Sequence, residues 1–351
     1  MLKPKINNLS FKAAILETLN KNLLVKKIKL IDKLQKNQFL IKIKYSGICG
    51  SQLGEISGIK GKDKFLPHLL GHEGTGIVIN KNSVKSKIKL GDRVVLHWKP
   101  GKGKESINPK YYLESKKINA GKVTTFNEYA VVSENRITKL SKKTNLAQAC
   151  LLGCSLTTAY GVLKNNAKIK KNSRLLIYGV GAVGQAMIVL SNIFKIKDIV
   201  AVDNNKNKLK KAKELGAKYI LNSKDISFDK KFKILIKNIN YAVDTTGNTG
   251  VIEKCYNNLS KKAKIILVGV PHFKKKISIH TLPLHFGKQL IGSHGGNISP
   301  SKDIPFLEKL MNNKKIDVNK LITNYIKLND INKIINKMKI NKIIGKVIIK
   351  I

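Results

Sequence analysis

Three residues of this chain have metal-binding side chains and lie in glycine-bearing stretches. Cys49 sits in SGICGS, His72 in LLGHEGTGIV and Cys154 in LLGCSLTTAYG. Gly71 and Gly74 frame His72 and Glu73, and glycine lets the backbone turn sharply and approach another group closely. Thiolate and imidazole are donors that zinc prefers, and a catalytic zinc takes about three protein ligands and leaves one position open. Each residue also has a structural reading. Cysteine is commonly a small buried apolar side chain, and a single histidine is often a satisfied core residue. Residue type and spacing alone leave these two readings evenly matched.

A second stretch has a narrower meaning. Leu175-Leu176-Ile177-Tyr178 reads as a short apolar strand, Gly179-Val180-Gly181-Ala182-Val183-Gly184 follows at once, and a helical run continues to Phe194. The next strand, Ile199 to Val202, ends on Asp203, 19 residues after the last glycine. Strand, G-x-G-x-x-G, helix and a distal acid together form the dinucleotide-binding fingerprint. Gly179 serves the tight turn, Gly181 lets the backbone reach the pyrophosphate, and Gly184 lets the helix pack on the sheet. Val183 lies in the same first helical turn and is counted with them. The helix N-terminus offers free N–H groups to phosphate. Asp203 would accept from the adenosine ribose hydroxyls and repel a 2′-phosphate, so NAD is expected rather than NADP. Lys206 and Lys208, just beyond, soften that preference.

The surrounding pattern says what must position these groups. Phe39, Ile41, Ile43 and Tyr45 alternate with polar partners, as in a half-buried strand, and short strands are expected from Met1 to about Lys44. Cys49 then falls in a turn, followed by a polar loop to Leu66-Pro67-His68. Ile77 to Ile79 and Val94 to Trp98 read as further strands around the turn Gly91-Asp92-Arg93. Short strands between glycine turns suggest a compact barrel-like domain. Lys99 to Lys122 reads as a lysine-rich loop, Phe126 to Val132 as a strand, and Thr144 to Ala167 as a helix capped by Thr144 or Asn145. From Arg174 onward strands alternate with helices, including one at Leu209 to Leu215, which means a parallel sheet. Helices are expected near Pro305 to Met311 and Asp330 to Met338, with a closing strand at Lys346 to Ile351.

At 351 residues the chain is long enough for two domains. Its 68 basic and 21 acidic residues give +47, a balance that ordinarily points to nucleic acid. The pattern argues otherwise. Only Arg93, Arg136 and Arg174 are arginines, and the lysines run end to end with abundant Asn and Ile. Compositional bias accounts for that better than a dedicated polyanion surface, so no specific nucleic-acid partner is expected. Four cysteines are too few for a disulfide scaffold in a chain of this length. With no apolar run of signal-peptide or membrane-span length, a cytoplasmic protein with reduced thiols is expected.

The motifs GICGS, GHEGTG, GDRV, LLGCSLTTAYG and GVGAVG occur in the order found in zinc-dependent alcohol dehydrogenases of the medium-chain dehydrogenase/reductase family, which this chain resembles over nearly its whole length. The resemblance implies an α/β protein with a GroES-like β-barrel catalytic domain (residues 1–156, completed by 295–351) and a Rossmann doubly wound parallel-sheet domain (157–294). It places Cys49, His72 and Cys154 at the ligand positions of one catalytic zinc per chain, with Glu73 in the neighbouring acidic position as a supporting or exchanging fourth ligand. It makes Ser51 the hydroxyl that takes the alcohol proton, Thr158 a neighbour of the nicotinamide and Trp98 a wall of the substrate pocket. Asp203 and Lys208 complete the cofactor contacts. The partner is a small alcohol or carbonyl compound, and homodimers or homotetramers are usual in the family.

Three departures from the family pattern stand out. No cysteine occurs between Trp98 and Phe126, so the second, structural zinc of many relatives is not expected. Gly54 stands where a relay histidine is common. Gln52 stands where an acid is common, and an amide orients an imidazole less strongly. Cys150 and Cys255 read as core. Lys99, Lys102 and Lys104 follow Trp98 and could favour an anionic or nucleotide-linked substrate, although background lysine accounts for them better. Two rival functions remain: a zinc-free quinone or enone reductase on the same fold, disfavoured by the Cys49–His72–Cys154 set, and a basic nucleic-acid-binding protein.

Overall fold

The structure is a computed structural model that describes residues 8–351; the part of the expected first strands on residues 1–7 lies outside it. The chain divides into two compact units, one of Met1–Cys154, Ser299–Lys315 and Ile322–Ile351, the other of Ser155–Ile298 and Ile316–Leu321.

The first unit is organised on one long strand, β1 (Gln38–Ile48). Helix α1 (Gly50–Ile56) follows it directly. Strand β2 (Glu73–Asn82) pairs antiparallel with β1, and β3 (Arg93–His97) pairs antiparallel with β2. Tyr129–Ser133 and Lys346–Lys350 also pair with β1, so the last strand of the chain is anchored beside the Cys49 turn through Val347 opposite Ile48. A second sheet is built from His68–Leu69, Leu9–Leu16, Leu24–Leu30, Tyr111–Leu113 and Lys116–Ile118. Strand β1 is covered on both faces rather than half-buried. Phe39, Ile41 and Ile43 pack with Val78, Val94 and Leu96, while Leu40 packs with Phe11, Ile28 and Tyr111. The two sheets form the nearly closed GroES-like arrangement.

Three local expectations change. The stretch after Cys49 is helical, because the Gln52 side chain turns back and accepts from the Cys49 N–H at 2.8 Å, capping α1, and Ile56 is buried beneath it. The lysine-rich 99–122 segment contains the hairpin Tyr111–Leu113 and Lys116–Ile118. Its anchor is Tyr111, fully buried, whose hydroxyl accepts from the Val131 N–H at 3.0 Å. The stretch 144–167 is not one helix: Leu146–Ala149 (capped by Asn145), a 3₁₀ turn at Cys150–Gly153, the helix Ser155–Gly161 and a π turn at Val162–Asn166 succeed one another.

The second unit holds a six-stranded parallel sheet in the order Tyr219–Asn222, β5 (Asp198–Asp203), β4 (Arg174–Tyr178), Tyr241–Asp244, Lys264–Leu267, Gln289–Gly292. Helix α2 (Ala182–Leu190) connects β4 to β5. The order runs outward from β4 in both directions, which is the doubly wound Rossmann pattern, and ligands bind at the carboxyl ends of strands at such a switch point. Apolar side chains of the sheet, Leu176, Val200 and Val202, pack against Phe228, Phe232 and Tyr256 of the crossover helices. The following helix runs from Lys206 to Glu214, three residues earlier than its apolar pattern suggests, because the Asn205 side chain accepts from the N–H groups of Asn207 and Lys208. Two later helices, Pro300–Asn312 and Ile331–Lys339, belong to the first unit. Among the described residues no single helix is long and apolar enough to cross a membrane.

Candidate metal and nucleotide sites

Cys49 follows the last residue of β1 in extended conformation and caps α1. His72 lies just before β2, and Gly71 ahead of it takes φ +89° with its backbone pressed on Thr125 and Phe126. The carbonyl of Glu73 accepts from the hydroxyls of Ser46 (3.2 Å) and Thr125 (3.3 Å), which holds the His72–Glu73 backbone in place. The Cys150 thiol points at the same carbonyl from 3.5 Å; it is buried, and burial first, then Glu73, pushes its pKa well up. Gly153 brings in the third candidate ligand. A Cβ there would lie 2.4 Å from Leu96 O and 2.8 Å from Glu73 Cα, so only glycine lets the 3₁₀ turn lie flat on β2 and β3. Cys154 follows it, and its Sγ lies 3.2 Å from His72 Nε2.

The donor atoms of Cys49, His72 and Cys154 all lie within 4.8 Å of one another. A tetrahedral zinc with its usual bond lengths needs ligand atoms separated by about 3.5–3.8 Å, so the cluster could take the ion with side-chain shifts of less than about an ångström. The electrostatics agree. A hydrogen bond from Cys154 first, then His72, hold the Cys49 thiol well below the usual thiol range against the opposing effect of burial. The bond to Cys49 and burial push Cys154 well up. Burial works to lower the His72 imidazole, but the bond and charge of Cys49 outweigh it and raise it. The cluster therefore favours a thiolate at Cys49 beside an imidazole and a second thiol, a donor set that a divalent cation would suit. Among the described residues no four-cysteine cluster exists; Cys255, the remaining cysteine, is buried in the helix Thr249–Asn258.

Around the cluster, Gln52 is buried and its Nε2 lies 2.5 Å from His72 Nδ1. Its oxygen is held by the Cys49 N–H, so the amide NH2 is the end that faces Nδ1; a proton on Nδ1, with Nε2 left to a metal, would require the amide to turn and give up the Cys49 contact. Glu73 (0% exposed) forms a buried ion pair with Lys346 (1% exposed) of the last strand. Burial opposes the Lys346 charge, but Glu73, then Cys49 and Cys154, more than reverse this and hold its pKa above the ordinary lysine value. Ser51 occupies the first turn of α1 and is exposed. Trp98 follows β3, partly buried, with Lys99 Nζ 5.5 Å from its ring centre.

A cavity of about 690 Å³ has His72 in its wall, together with Gly54, Glu55 and Gly58 from α1 and its exit, His68 and Leu70 before β2, and residues 108–110 and 119–121 of the 99–122 segment. Trp98, Lys99, Lys102 and Lys104 do not line it; the lysines at its rim are Lys60, Lys62, Lys64, Lys110 and Lys117. The anionic-substrate expectation built on Lys99, Lys102 and Lys104 therefore has no support here. Lys99 is turned onto the Trp98 ring, and Gly101 lies against Ser301.

In the second unit Gly179 takes φ +91° at the end of β4. Gly181 caps α2, and the space a Cβ would fill there is empty to 4 Å. A Cβ on Gly184 would lie 2.3 Å from Gly179 O, so the helix touches the strand end through bare backbone. Val183 lies in the first turn of α2, partly exposed. Asp203 ends β5 and accepts from the N–H groups of Val180 (2.9 Å) and Asn205 (3.0 Å), which fixes the carboxylate beside the glycine turn. Lys208 stands one helical turn beyond, its pKa lowered by burial and partly restored by Asp203. Thr158 is buried in the helix Ser155–Gly161.

Lys346 and Glu55 escape a reading of the sequence. Lys346 opens an apolar strand like many lysines in this chain, and nothing local links it to Glu73, 273 positions away. Glu55 could have been noticed as an acid four residues after Ser51, once α1 was known to be a helix.

Two family profiles match the chain: "alcohol dehydrogenase GroES-like domain" over residues 35–142 and "zinc-binding dehydrogenase" over 182–313. An alcohol dehydrogenase 6 of Peromyscus maniculatus is 29% identical over 329 residues, 85% of this chain and 87% of that protein. An S-(hydroxymethyl)glutathione dehydrogenase of Photobacterium damsela subsp. piscicida is 26% identical over 345 residues, 90% and 93% of the two chains. The crystal structure of benzyl alcohol dehydrogenase from Acinetobacter calcoaceticus superposes with a TM-score of 0.86 at 25% identity, covering 98% and 99% of the two chains.

Proposed function

Because the chain belongs to the zinc-dependent alcohol dehydrogenases of the medium-chain dehydrogenase/reductase family, we propose that it transfers a hydride between a primary or secondary alcohol and NAD, or reduces the matching aldehyde or ketone. The observation that carries the reading is the convergence of Cys49, His72 and Cys154 within 4.8 Å. One zinc per chain, when bound, supplies a Lewis acid that makes a coordinated alcohol easier to deprotonate.

The chain's own residues then have distinct tasks. Cys49, His72 and Cys154 hold the ion, Gln52 orients His72, and the Glu73–Lys346 pair keeps a matched charge behind the ligands. Ser51 takes the alcohol proton. Thr158 borders the nicotinamide, whereas Trp98 lies off the cavity at His72 and is given no role there. Gly179, Gly181, Val183 and Gly184 cradle the pyrophosphate, Asp203 selects the ribose hydroxyls of NAD, and Lys208 lies at the edge of that contact. Residues 1–156 and 295–351 serve the metal, and 157–294 serve NAD. The substrate is a small organic alcohol or carbonyl compound, and we place the enzyme in the cytoplasm as a homodimer or homotetramer.

Metal analysis of the purified chain, paired with an NAD-coupled screen of alcohols, polyols, sugar derivatives and S-(hydroxymethyl)glutathione, tests the reading. About one zinc per chain and NAD reduction with at least one alcohol class are expected. Two tightly held zincs, or none after metal-replete expression, would sink the site as drawn.

A further inference from the structure

Alcohol oxidation releases a proton for every hydride moved, and that proton must leave through a group able to hold it. Ser51 is a poor terminal acceptor, since a hydroxyl passes a proton on only as fast as it gives up its own. The position where relatives often carry a histidine is Gly54, and a side chain could not simply be restored there: a Cβ would lie 2.8 Å from Ile59 Cγ2.

One turn further along α1 lies Glu55. Ser51 and Glu55 are four residues apart in a helix spanning Gly50–Ile56, a spacing that stacks side chains on one face with Cβ atoms about 5–6 Å apart. Glu55 is half-buried and lines the same 690 Å³ cavity as His72. Its carboxylate has no hydrogen bond or ion pair among the described residues, although 68 basic residues surround 21 acids in this chain. Other partly or fully buried acids are engaged: Glu73 by Lys346, Glu308 by Ser141 and Thr144, Asp203 by two backbone N–H groups. A half-buried carboxylate left without a partner at a cavity wall is a position that serves structure poorly and proton transfer well.

From this placement we infer that Glu55 is the proton acceptor of this enzyme, receiving the substrate proton from Ser51 along one face of α1 and releasing it to water in the cavity. The inference rests on the proposed alcohol dehydrogenase activity. The alcohol O–H proton passes to Ser51 Oγ as the Ser51 proton passes to a Glu55 carboxylate oxygen; the carbinol hydride goes to NAD, giving NADH and the carbonyl product. In reduction the same steps run backward, with protonated Glu55 as the donor.

The charges facing Glu55 suit the task. Burial raises its carboxyl above the ordinary carboxylate range, and Cys49 adds to this, while His72, Lys60 and His68 act to lower it. Asp63, Lys62, Lys64, Lys110 and Lys117 line the same cavity. The acceptor form is the deprotonated one, so oxidation should rise with pH through the Glu55 titration and then level off.

The experiment compares wild type, Glu55→Gln and Glu55→Asp in the metal-replete full chain, reading zinc content, NAD affinity, kcat against pH, and the protonated-carboxyl stretch in infrared difference spectra between low and neutral pH. The expected result is unchanged zinc and NAD binding in both variants. Glu55→Gln should lose about 10²-fold in kcat, lose the low-pH limb of the profile and lose one titrating carboxyl band. Glu55→Asp should keep a limb and regain part of the rate. An unaltered pH profile and kcat in Glu55→Gln, or a limb that survives while its carboxyl band disappears, overturns the inference. Absence of NAD-linked oxidation in the wild type overturns the proposed activity instead, and the infrared titration still reports whether Glu55 ionises above the ordinary range.

Discussion

The phosphate turn takes its three glycines from six consecutive residues, 179–184, and adds one acid from the next strand. The candidate metal cluster draws its donors from positions 49, 72 and 154, and the buried ion pair beside it reaches on to 346. In the first case a local backbone shape makes the site. In the second, sheet pairing makes it: β1, β2 and the last strand bring Cys49, Glu73 and Lys346 to one end of one sheet. Damage to the turn should stay local, whereas damage to the cluster should spread into the fold that assembles it.

The largest effect expected separates the two regions outright. Cys49→Ala should cost turnover on the order of a thousandfold or more, with the metal lost and NAD affinity, measured by fluorescence titration, nearly unchanged. A parallel loss of NAD binding would show that the regions are not independent. Next comes Lys346→Met. It leaves the fully buried Glu73 without its counter-charge, and breaking a buried pair this way costs about 3–5 kcal/mol. Denaturant unfolding should show that loss, and Glu73→Gln added to Lys346→Met should recover part of it.

Gly184→Val tests the other side. The Cβ contact with Gly179 O forces α2 away from β4, a change expected to cost about 1–3 kcal/mol and to weaken NAD binding while zinc content stays at the wild-type level. The smallest change is Asp203→Ala. Loss of a charged hydrogen-bonding group should weaken NAD roughly tenfold and narrow its advantage over NADP; an unchanged NAD-to-NADP ratio would remove Asp203 from the selection.

Particular residues show where a reading of the sequence stops. The roles expected of Gly179 and Gly184 reappear as a positive φ and a backbone contact, because a six-residue turn contains its own geometry. The helix after Cys49 was missed because its start depends on Gln52 capping back onto Cys49, an interaction that a polar, glycine-bearing stretch does not advertise. The hairpin at 111–118 was hidden because lysines surround the one residue, Tyr111, that anchors it in the core. The apolar pattern of 144–167 does not show the break at Cys154, because the reason for it, Gly153 lying against β2 and β3, is a contact with residues more than fifty positions earlier.

By itself the sequence determined the two-domain α/β class, the glycine turn after β4, the three candidate metal ligands that the family resemblance singles out, and the absence of the cysteines for a second zinc. Side-chain type and short spacing carry that information. Only the tertiary structure decided that Lys346 is the counter-ion of Glu73, that Lys99, Lys102 and Lys104 stand away from the cavity at His72, and that Glu55 lines that cavity with no ion pair or hydrogen bond among the described residues. Each of these is set by which distant strands pair and which face of α1 is covered, and a linear string holds the side chains without holding those distances.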